Sequence, residues 1–549
     1  MTRFNRQQLK AATRDEIQID AADLVAARRL APRSAVNRSM WQTDTFSQAL
    51  QAGNYERGVG WVRDPKSELF LLAAANMVGQ HTFYERAGSR DRRYVELIWE
   101  HALSDPEWTL GLLRWLRSEA NMRTASLVGA AEFARARQQA RRHGYSRQAI
   151  AAVLQRPDEP GELLAYWTSR YGRQLPMPVK RGVADAVQRL YTGRALLKYD
   201  TDSQAFRFGD VLELTHPAPA PDRPWQAAVF RYALDRRHRS ASAAPPAGEE
   251  LLQSHHALMA VPAEARYALV TDPGGAQRLA AAGMTWETLA GWLQRPLDAA
   301  VWEAVIPSMG TMALVRNLRN FDQAGIGEPA AAEVARRICD RDEVIRSRQF
   351  PFRYLAAYRH ADSERWGAAL ETALAHSLAN VPRLLGRTLV LVDRSGSMFF
   401  TPEARTELTR ADSAAIFGTA LALRGEHVDL VEFGTGSRRI EVGPQDTVLA
   451  ALDRFHDLGG TETANAVRTH YQGHDRVIII TDEQAFRSDT SVLAPVPNEV
   501  PVYTWNLAGY AVGHAEPGPR RYTFGGLSDA AFRLIPLIEE GLETGWPWE

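Results

Sequence analysis

The sequence predicts a multidomain α + α/β protein, in which a long run of helices precedes a domain with a doubly wound parallel sheet. Two patterns and one charge difference support this prediction. From residue 41 to about residue 385, apolar residues recur at three- and four-residue spacing, which is typical of amphipathic helices. Later in the chain, the apolar runs 389–392 and 477–480 each lead into an acidic residue, as buried parallel strands with a polar end do.

The two parts of the chain carry opposite net charge. The 549 residues include 65 basic and 65 acidic side chains. Residues 386–549 hold 14 of the basic and 23 of the acidic ones, a net charge of −9, which leaves 51 and 42, or +9, for residues 1–385. This asymmetry indicates that only the helical part faces nucleic acid, although a charge of +9 over 385 residues also fits a scattered distribution.

The composition excludes several classes of protein. Hydrophobic residues make up 45% and charged residues 24% of the chain, which is ordinary for a soluble globular protein. No stretch approaches the roughly 18–20 apolar residues of a membrane span, and the first residues lack the apolar core of a signal peptide. Cys339 is the only cysteine, which excludes an internal disulfide and thiolate zinc sites. We therefore expect a cytoplasmic protein.

Three domains are predicted: an N-terminal arm at 1–40, a helical part at 41–385 and an α/β domain at 386–549. Short links between the helices favour stacked antiparallel pairs, an α-solenoid of degenerate HEAT-like repeats without strands. Proline-rich segments at 217–224 and 239–248 are expected to be surface loops. The clearest helical patterns cover residues 68–78, 94–103, 109–117, 126–142 and 181–197.

The α/β domain is predicted from alternating strand and helix patterns, which imply a parallel sheet with helices on both faces. The predicted strands cover residues 389–393, 428–433, 477–481 and 502–507, and the predicted helices residues 407–423, 446–455 and 527–540.

Oxygen-bearing side chains cluster in three loops of this domain. Asp393, Ser395 and Ser397 follow the first strand, Thr461 follows a Gly-Gly turn, and Asp482 follows the third strand. Open α/β sheets place their ligand sites at the carboxyl ends of strands. Three hydroxyls and two carboxylates suit Mg²⁺ or another divalent cation. A cation held mainly by neutral ligands stays electrophilic toward an external carboxylate or phosphate, so the pattern predicts a docking ion and not a catalyst.

This set resembles the metal-ion-dependent adhesion site of von Willebrand factor A domains. The resemblance implies that Asp393, Ser395, Ser397, Thr461 and Asp482 hold the metal. The alternative is an A-like fold that binds no metal. Arg394 stands where the family usually has an apolar residue, and its charge is expected to weaken metal binding or to favour anionic partners.

A second resemblance lies in the helical part and is carried by several segments in a fixed order. These segments are 55–64, 70–84, 171–173, 180–188, 195–199, 209–217, 302–320 and 350–352. Together they resemble the TROVE module of the Ro autoantigen RNA-binding family. In that family the repeats close into a ring with a positively charged central hole, and one A domain links the ends of the ring. Small structured Y RNAs bind the outer surface, and single-stranded ends of misfolded or precursor RNAs enter the hole.

The resemblance implies a monomeric, non-catalytic RNA-binding ring that acts in RNA quality control or maturation, with an exoribonuclease as a further partner. By motif position, Lys198 and His216 correspond to RNA-binding residues of the outer surface, although His216, which precedes Pro217, is alternatively a residue that only ends a helix. Asp202 replaces a basic residue of that surface, for which Arg207 is a substitute. Supporting contacts are predicted for Arg173, Lys180, Arg181 and Arg194.

Two further basic groups have alternative interpretations. Arg316 and Arg319 are predicted to line the hole, or else to pair with Asp322 and Glu328. The arginines of 135–142 share helical faces, for which a solvated basic surface is the simpler interpretation.

Two other classes of function remain as alternatives. In the first, the metal site captures an acidic residue of a partner and the helices are a scaffold. In the second, the protein is an enzyme, but a phosphatase of the haloacid dehalogenase type needs a second acid where Ser395 stands. A two-metal nuclease needs a carboxylate cluster that the sequence does not contain. We therefore predict no catalytic residues.

Overall fold

The computed structural model describes most of the chain from residue 51 onward. No helix among these residues is long and apolar enough to cross a membrane. The predicted N-terminal arm at 1–40 lies outside the described residues. The structure describes residues 51–53, 59–62, 64–75, 87–238, 243–347, 349, 351–361, 363–379, 381–400, 409–443, 446–484, 491–510, 512–514, 520–525, 532, 534–539 and 546–548.

The chain divides into two compact units. The first comprises residues 1–145, 350–352 and 378–549, and the second comprises residues 146–349 and 353–377. The first unit therefore combines the beginning of the helical part with the α/β domain, whereas the second contains helices only.

The helices at the start of the first unit form because apolar residues line one face and the ends are capped. Asp105 begins α3, since its carboxylate accepts a hydrogen bond from the backbone N–H of Trp108 (3.2 Å) and Pro106 occupies the first helical position. Leu112 and Leu116 of this helix are fully buried. The helices are α1 (Pro65–Ala75), α2 (Ala87–Ser104), α3 (Pro106–Ser118) and α4 (Arg123–Gln139).

A small antiparallel sheet precedes these helices. Its strands β1 (Gln51–Gly53) and β2 (Val59–Val62) pair with each other, and β2 also pairs with β8 (Val512–Gly513). The prediction that the helical part contains no strands was therefore wrong at its beginning. Strands of three and four residues are too short to show an alternating pattern, and β8 lies far away in the sequence.

The α/β domain contains a six-stranded sheet in the order β5-β4-β3-β6-β7-β9. All neighbouring strands are parallel except the edge strand β5, which is antiparallel to β4. The four predicted strands are confirmed to within two residues at each end. The strands are β3 (Arg387–Asp393), β4 (His427–Phe433), β5 (Ser437–Arg439), β6 (Arg476–Thr481), β7 (Val502–Asn506) and β9 (Arg521–Gly525).

Strands β3 and β6 form the centre of this domain. Every residue of β6 is buried, and so is every residue of β3 after Arg387. Their apolar side chains on one face pack with Val431, Phe433 and Val467 in one core cluster. The helices of the domain are α21 (Arg410–Arg424), α22 (Val448–Leu452), α23 (Thr463–His470) and α24 (Leu534–Glu539).

The second unit is built from helices α5 to α20. The predicted single helix at 181–197 is two helices, because Tyr191 is extended and the Thr192 side chain caps α8 by accepting a hydrogen bond from the Ala195 N–H (3.1 Å). The first of these helices are α5 (Ser146–Val153), α6 (Glu159–Tyr171), α7 (Met177–Leu190), α8 (Gly193–Tyr199), α9 (Phe208–Thr215) and α10 (Gln226–His238).

The remaining helices of the second unit continue this pattern of short amphipathic segments. They are α11 (Glu250–Met259), α12 (Ala263–Thr271), α13 (Gly275–Ala281), α14 (Trp286–Leu293), α15 (Ala299–Val305), α16 (Thr311–Ala324), α17 (Glu328–Ile338), α18 (Arg341–Ser347), α19 (Pro351–His360) and α20 (Gly367–Ser377).

Candidate metal centre and nucleic-acid interface

The candidate metal centre begins where β3 ends. Strand β3 lies between the parallel strands β4 and β6, so its carboxyl end is in the middle of the sheet edge. Asp393, its last residue, is fully buried, and its Oδ1 accepts a hydrogen bond from the Ser395 N–H (2.9 Å). The chain then turns so that the Ser395 and Ser397 hydroxyl oxygens lie 3.4 Å apart. One carboxylate and two hydroxyls therefore meet in a single buried loop.

A second loop is joined to the first by the backbone. The Gly396 N–H donates to the Gly459 carbonyl (2.6 Å), and the Leu458 N–H donates to the Arg394 carbonyl (3.0 Å). Gly459 has a φ of +76°, a conformation that favours glycine. These contacts fix the backbone just before Thr461, whose side chain is buried.

The third loop follows β6. The Thr481 hydroxyl donates to Asp393 Oδ2, which connects this loop to the first. The Gln484 N–H donates to Asp482 Oδ1 (3.1 Å). Asp482 Oδ2 is buried and has no hydrogen-bond partner among the described residues. An orphaned carboxylate oxygen of this kind is costly unless a cation or a donor occupies the space beside it.

The electrostatics of the two carboxylates also favour a cation beside them. Burial, reinforced by the charge of Asp393, raises the pKa of Asp482 to about 7. Burial likewise raises the pKa of Asp393, against the hydrogen bonds from Ser395 and Thr481. A divalent ion beside both groups would restore their charged forms.

The donor set fits a hydroxyl-based cation site. Among the described residues, no group of three or more His, Cys, Asp or Glu side chains is placed to hold a metal ion. The centre has two carboxylates, so the hydroxyls of Ser395, Ser397 and Thr461 and water would complete the ligand shell of Mg²⁺. When bound, the cation would supply an electrophilic position for an external oxygen ligand.

Arg394 lies between the first and second loops of the centre. Its side chain is buried, with the guanidinium 4.6 Å from the centre of the Phe399 ring and 5.6 Å from that of Phe455. Its Nε donates to the carbonyl of His456 (2.8 Å). The arginine therefore holds together the two loops that carry Ser395 and Thr461, and its charge favours ionised Asp393.

Two charged residues near the centre were not predicted from the sequence. Arg410, at the start of α21, donates to the Leu507 carbonyl (3.1 Å), and its charge lowers the pKa of Asp482. Glu432, fully buried on β4, accepts from the backbone N–H of His456 (2.7 Å). Neither residue belongs to a motif. The available signal was the acid at position 432 within the apolar run 430–433.

The predicted RNA-contact residues all lie in the second unit. Lys198 is exposed near the end of α8, and His216 is exposed at the end of α9, where its φ is +48°. Lys180 is half-buried. The other predicted contacts are exposed, namely Arg173, Arg181, Arg194, Arg316 and Arg319.

Ion pairs bear on two alternatives for this surface. Arg207 donates to Asp200 Oδ2 (2.9 Å) and to Asp202 Oδ1 (2.8 Å), so two carboxylates already engage the predicted substitute cation. Asp322 and Glu328 both form ion pairs with Arg365 in the part of the chain that the structure describes.

Known proteins are similar to this chain in one sequence segment and in fold. Residues 279–371 match the family model of the TROVE domain. The crystal structure of the Ro (RSR) protein of Deinococcus radiodurans is similar to this structure, with a TM-score of 0.57 and 18% sequence identity over 86% of this chain and 99% of that chain. No curated protein matches the sequence. The TROVE match at 279–371 and the shared fold agree with the resemblance predicted from the sequence.

Proposed function

We propose that this protein is a cytoplasmic RNA-binding ring of the Ro type. It binds a small, structured, Y-like RNA on the outer surface of its helical part, and it receives single-stranded ends of misfolded or precursor RNA in a central opening. In this role it acts as a monomer in RNA quality control or maturation, and it presents RNA to an exoribonuclease.

The observation that carries this proposal is the accessibility of the predicted cations. Seven of the eight predicted contact residues are exposed and one is half-buried, although they come from five different segments of the sequence. Phosphate groups are contacted by accessible, mobile cations, so this is the arrangement that RNA backbone binding requires. Arg316 and Arg319 also lie inside the segment that matches the TROVE domain.

Fluorescence anisotropy with a labelled RNA hairpin that carries a single-stranded 3′ tail tests the proposal. We expect affinity to fall by orders of magnitude when salt rises from 50 to 200 mM, as it does for proteins with roughly 6–10 phosphate contacts. Removal of the tail should weaken binding. Absence of binding at low salt would refute RNA binding, and indifference to the tail would refute the central opening.

A second candidate function uses the metal centre. The buried, unpartnered Oδ2 of Asp482 favours a bound cation at this edge of the sheet. Mg²⁺ at Asp393, Ser395, Ser397, Thr461 and Asp482, the ligand set of an adhesion-type site, would then capture an acidic side chain of a protein partner. Under this proposal Asp393→Ala abolishes capture of the partner and leaves RNA affinity unchanged, whereas loss of RNA affinity in that variant would contradict it.

A further inference from the structure

The turn that follows α4 presents a run of cations that the resemblance does not assign. Residues 133–157 contain six arginines and no acidic residue. Arg141, Arg142 and His143 lie in the turn and are exposed. In the part of the chain that the structure describes, none of these three side chains has a hydrogen-bond or ion-pair partner. The charge of the turn is therefore available to an external anion.

The turn is fixed from inside by Arg137. This side chain is buried, and its guanidinium donates to three carbonyls, those of Ala102 (2.7 Å), His143 (2.6 Å) and Gly144 (3.1 Å). The same guanidinium lies 5.3 Å from the centre of the Tyr145 ring. Because two of the accepting carbonyls belong to the turn, the backbone that carries the exposed cations cannot move independently of α4.

The backbone of the turn adopts an uncommon conformation. Arg141 (φ +53°), Gly144 (φ +81°) and Tyr145 (φ +61°) are all left-handed. Residues with a side chain rarely adopt this conformation, and they keep it only where the surrounding structure imposes it. A Cβ at Gly144 would meet no atom within 4 Å. Glycine is therefore favoured here by the left-handed backbone conformation and not by close packing.

Capping of α4 does not account for the exposed arginines. The carbonyls of the last turn already accept backbone hydrogen bonds, from Ala140 N–H to Ala136 (3.0 Å), from Arg141 N–H to Gln138 (3.0 Å) and from Arg142 N–H to Arg137 (2.8 Å). The helix end is therefore satisfied without any guanidinium. A merely solvated basic face explains the exposure of these side chains but not the anchored left-handed turn beneath them.

We propose that the turn 140–145 is a preformed contact for the phosphate backbone of RNA, with Arg141, Arg142 and His143 as its donors. This inference rests on the proposed RNA-binding function and adds a contact outside the predicted set. Guanidinium groups bind phosphate through two parallel hydrogen bonds, and a fixed backbone lowers the entropy lost on binding.

The test compares two double variants that each remove two exposed arginines. Arg141→Ala with Arg142→Ala changes the turn, and Arg424→Ala with Arg468→Ala is the matched control, because both control residues are exposed on helices of the acidic α/β domain. The affinity for the tailed RNA hairpin is measured between 50 and 200 mM salt. We expect the first variant to bind about tenfold or more weakly at low salt, with a salt slope reduced by roughly 0.7–0.9 per lost phosphate contact, and the control to bind like the wild type.

The outcomes separate this inference from the function on which it rests. If the wild type binds RNA and both double variants bind equally well, the turn is not a contact and only this inference fails. If the wild type binds no RNA, both proposals fail. Poly-glutamate is also added as a competitor, at the same concentration of negative charge as the RNA. If it displaces the RNA, the turn is a site for acidic proteins and the proposed RNA contact is overturned.

Gly144→Ala tests whether the fixed backbone matters. The substitution keeps every cation and strains only the left-handed position, so we expect RNA affinity to fall several-fold with helical content unchanged. Wild-type affinity in this variant would contradict a preformed contact.

Discussion

The candidate metal centre and the proposed RNA-contact surface place polar side chains in opposite environments. At the edge of the α/β sheet, Asp393 and Asp482 are buried and held by backbone hydrogen bonds. On the helices of the second unit, residues such as Lys198 and His216 are exposed. The buried carboxylates oppose folding unless a cation compensates their charge, whereas exposed cations cost little. The position of the candidate metal centre therefore depends on the strand topology, whereas the proposed RNA-contact surface depends on exposed charge.

The largest effect that we expect is loss of metal binding in Asp393→Ala. This residue contributes a carboxylate to the centre and accepts the hydrogen bonds that shape its first loop. Because even outer-shell residues change metal affinity by about 10–100-fold, removal of a ligand should weaken Mg²⁺ or Mn²⁺ binding by about 100-fold or more. Isothermal titration calorimetry measures it. Asp453→Ala, at an exposed position of the same domain, is the control. Equal metal affinities of Asp393→Ala and the wild type would contradict the role of this buried carboxylate as a metal ligand.

The pH dependence of stability tests the burial of His101. Burial lowers the pKa of His101 to about 4 from its usual 6.5. The unfolded state therefore binds more protons between these values, and stability is lost as the pH falls from 6.5 toward 4. The loss should reach about 2–3 kcal/mol, at 1.36 kcal/mol per pKa unit.

Urea unfolding at pH 7 and pH 4.5 measures this loss, with His101→Gln as the test variant. The wild type at the same two pH values is the reference. If His101→Gln loses as much stability at pH 4.5 as the wild type does, the cause lies elsewhere.

The exposed surface is tested by the double variant Lys198→Ala with His216→Ala. We expect its affinity for a structured RNA to fall by roughly tenfold, with a smaller salt slope, because one or two phosphate contacts are lost. Its unfolding free energy should stay within about 0.5 kcal/mol of the wild type, as for other surface changes. A large loss of stability would show that these side chains are structural.

The smallest effect is expected for Arg394→Met, which keeps an apolar side chain between Phe399 and Phe455 but removes the hydrogen bond to His456. Metal affinity should fall only a few-fold, because the ligands remain while their loops are held less firmly. Calorimetry with Mg²⁺ measures the change. Tighter metal binding in this variant would show that the charge of Arg394 opposes the cation, as the sequence suggested.

The same contrast explains what the sequence could and could not predict. Strands β3 and β6 were predicted because their apolar runs end in Asp393 and just before Asp482, where pattern and geometry coincide. The break between α7 and α8 was missed because Tyr191 and Thr192, which are extended, fit the apolar spacing of a continuous helix, although Gly193 follows them directly. The pairing of β2 with β8 was missed because it joins segments about 450 residues apart.

Residues whose roles depend on distant contacts were likewise beyond the sequence. The guanidinium of Arg394 lies 4.6 Å from the centre of the Phe399 ring and 5.6 Å from that of Phe455, contacts that the sequence did not indicate. Arg207, the predicted substitute at the RNA-contact surface, forms ion pairs with Asp200 and Asp202 that the sequence did not indicate either. The charge of both residues was evident from the sequence, but the groups that each guanidinium contacts depend on the tertiary structure.

Crosslinking of bound RNA followed by mass spectrometry of the crosslinked peptides tests the central claim most directly, namely that the helices bind RNA while the α/β domain holds the metal. The account predicts crosslinks in peptides that contain residues 141–142, 198 and 216, with the same pattern in Asp393→Ala and in the presence of a chelator. Crosslinks confined to residues 386–549, or lost when the metal is removed, would contradict it.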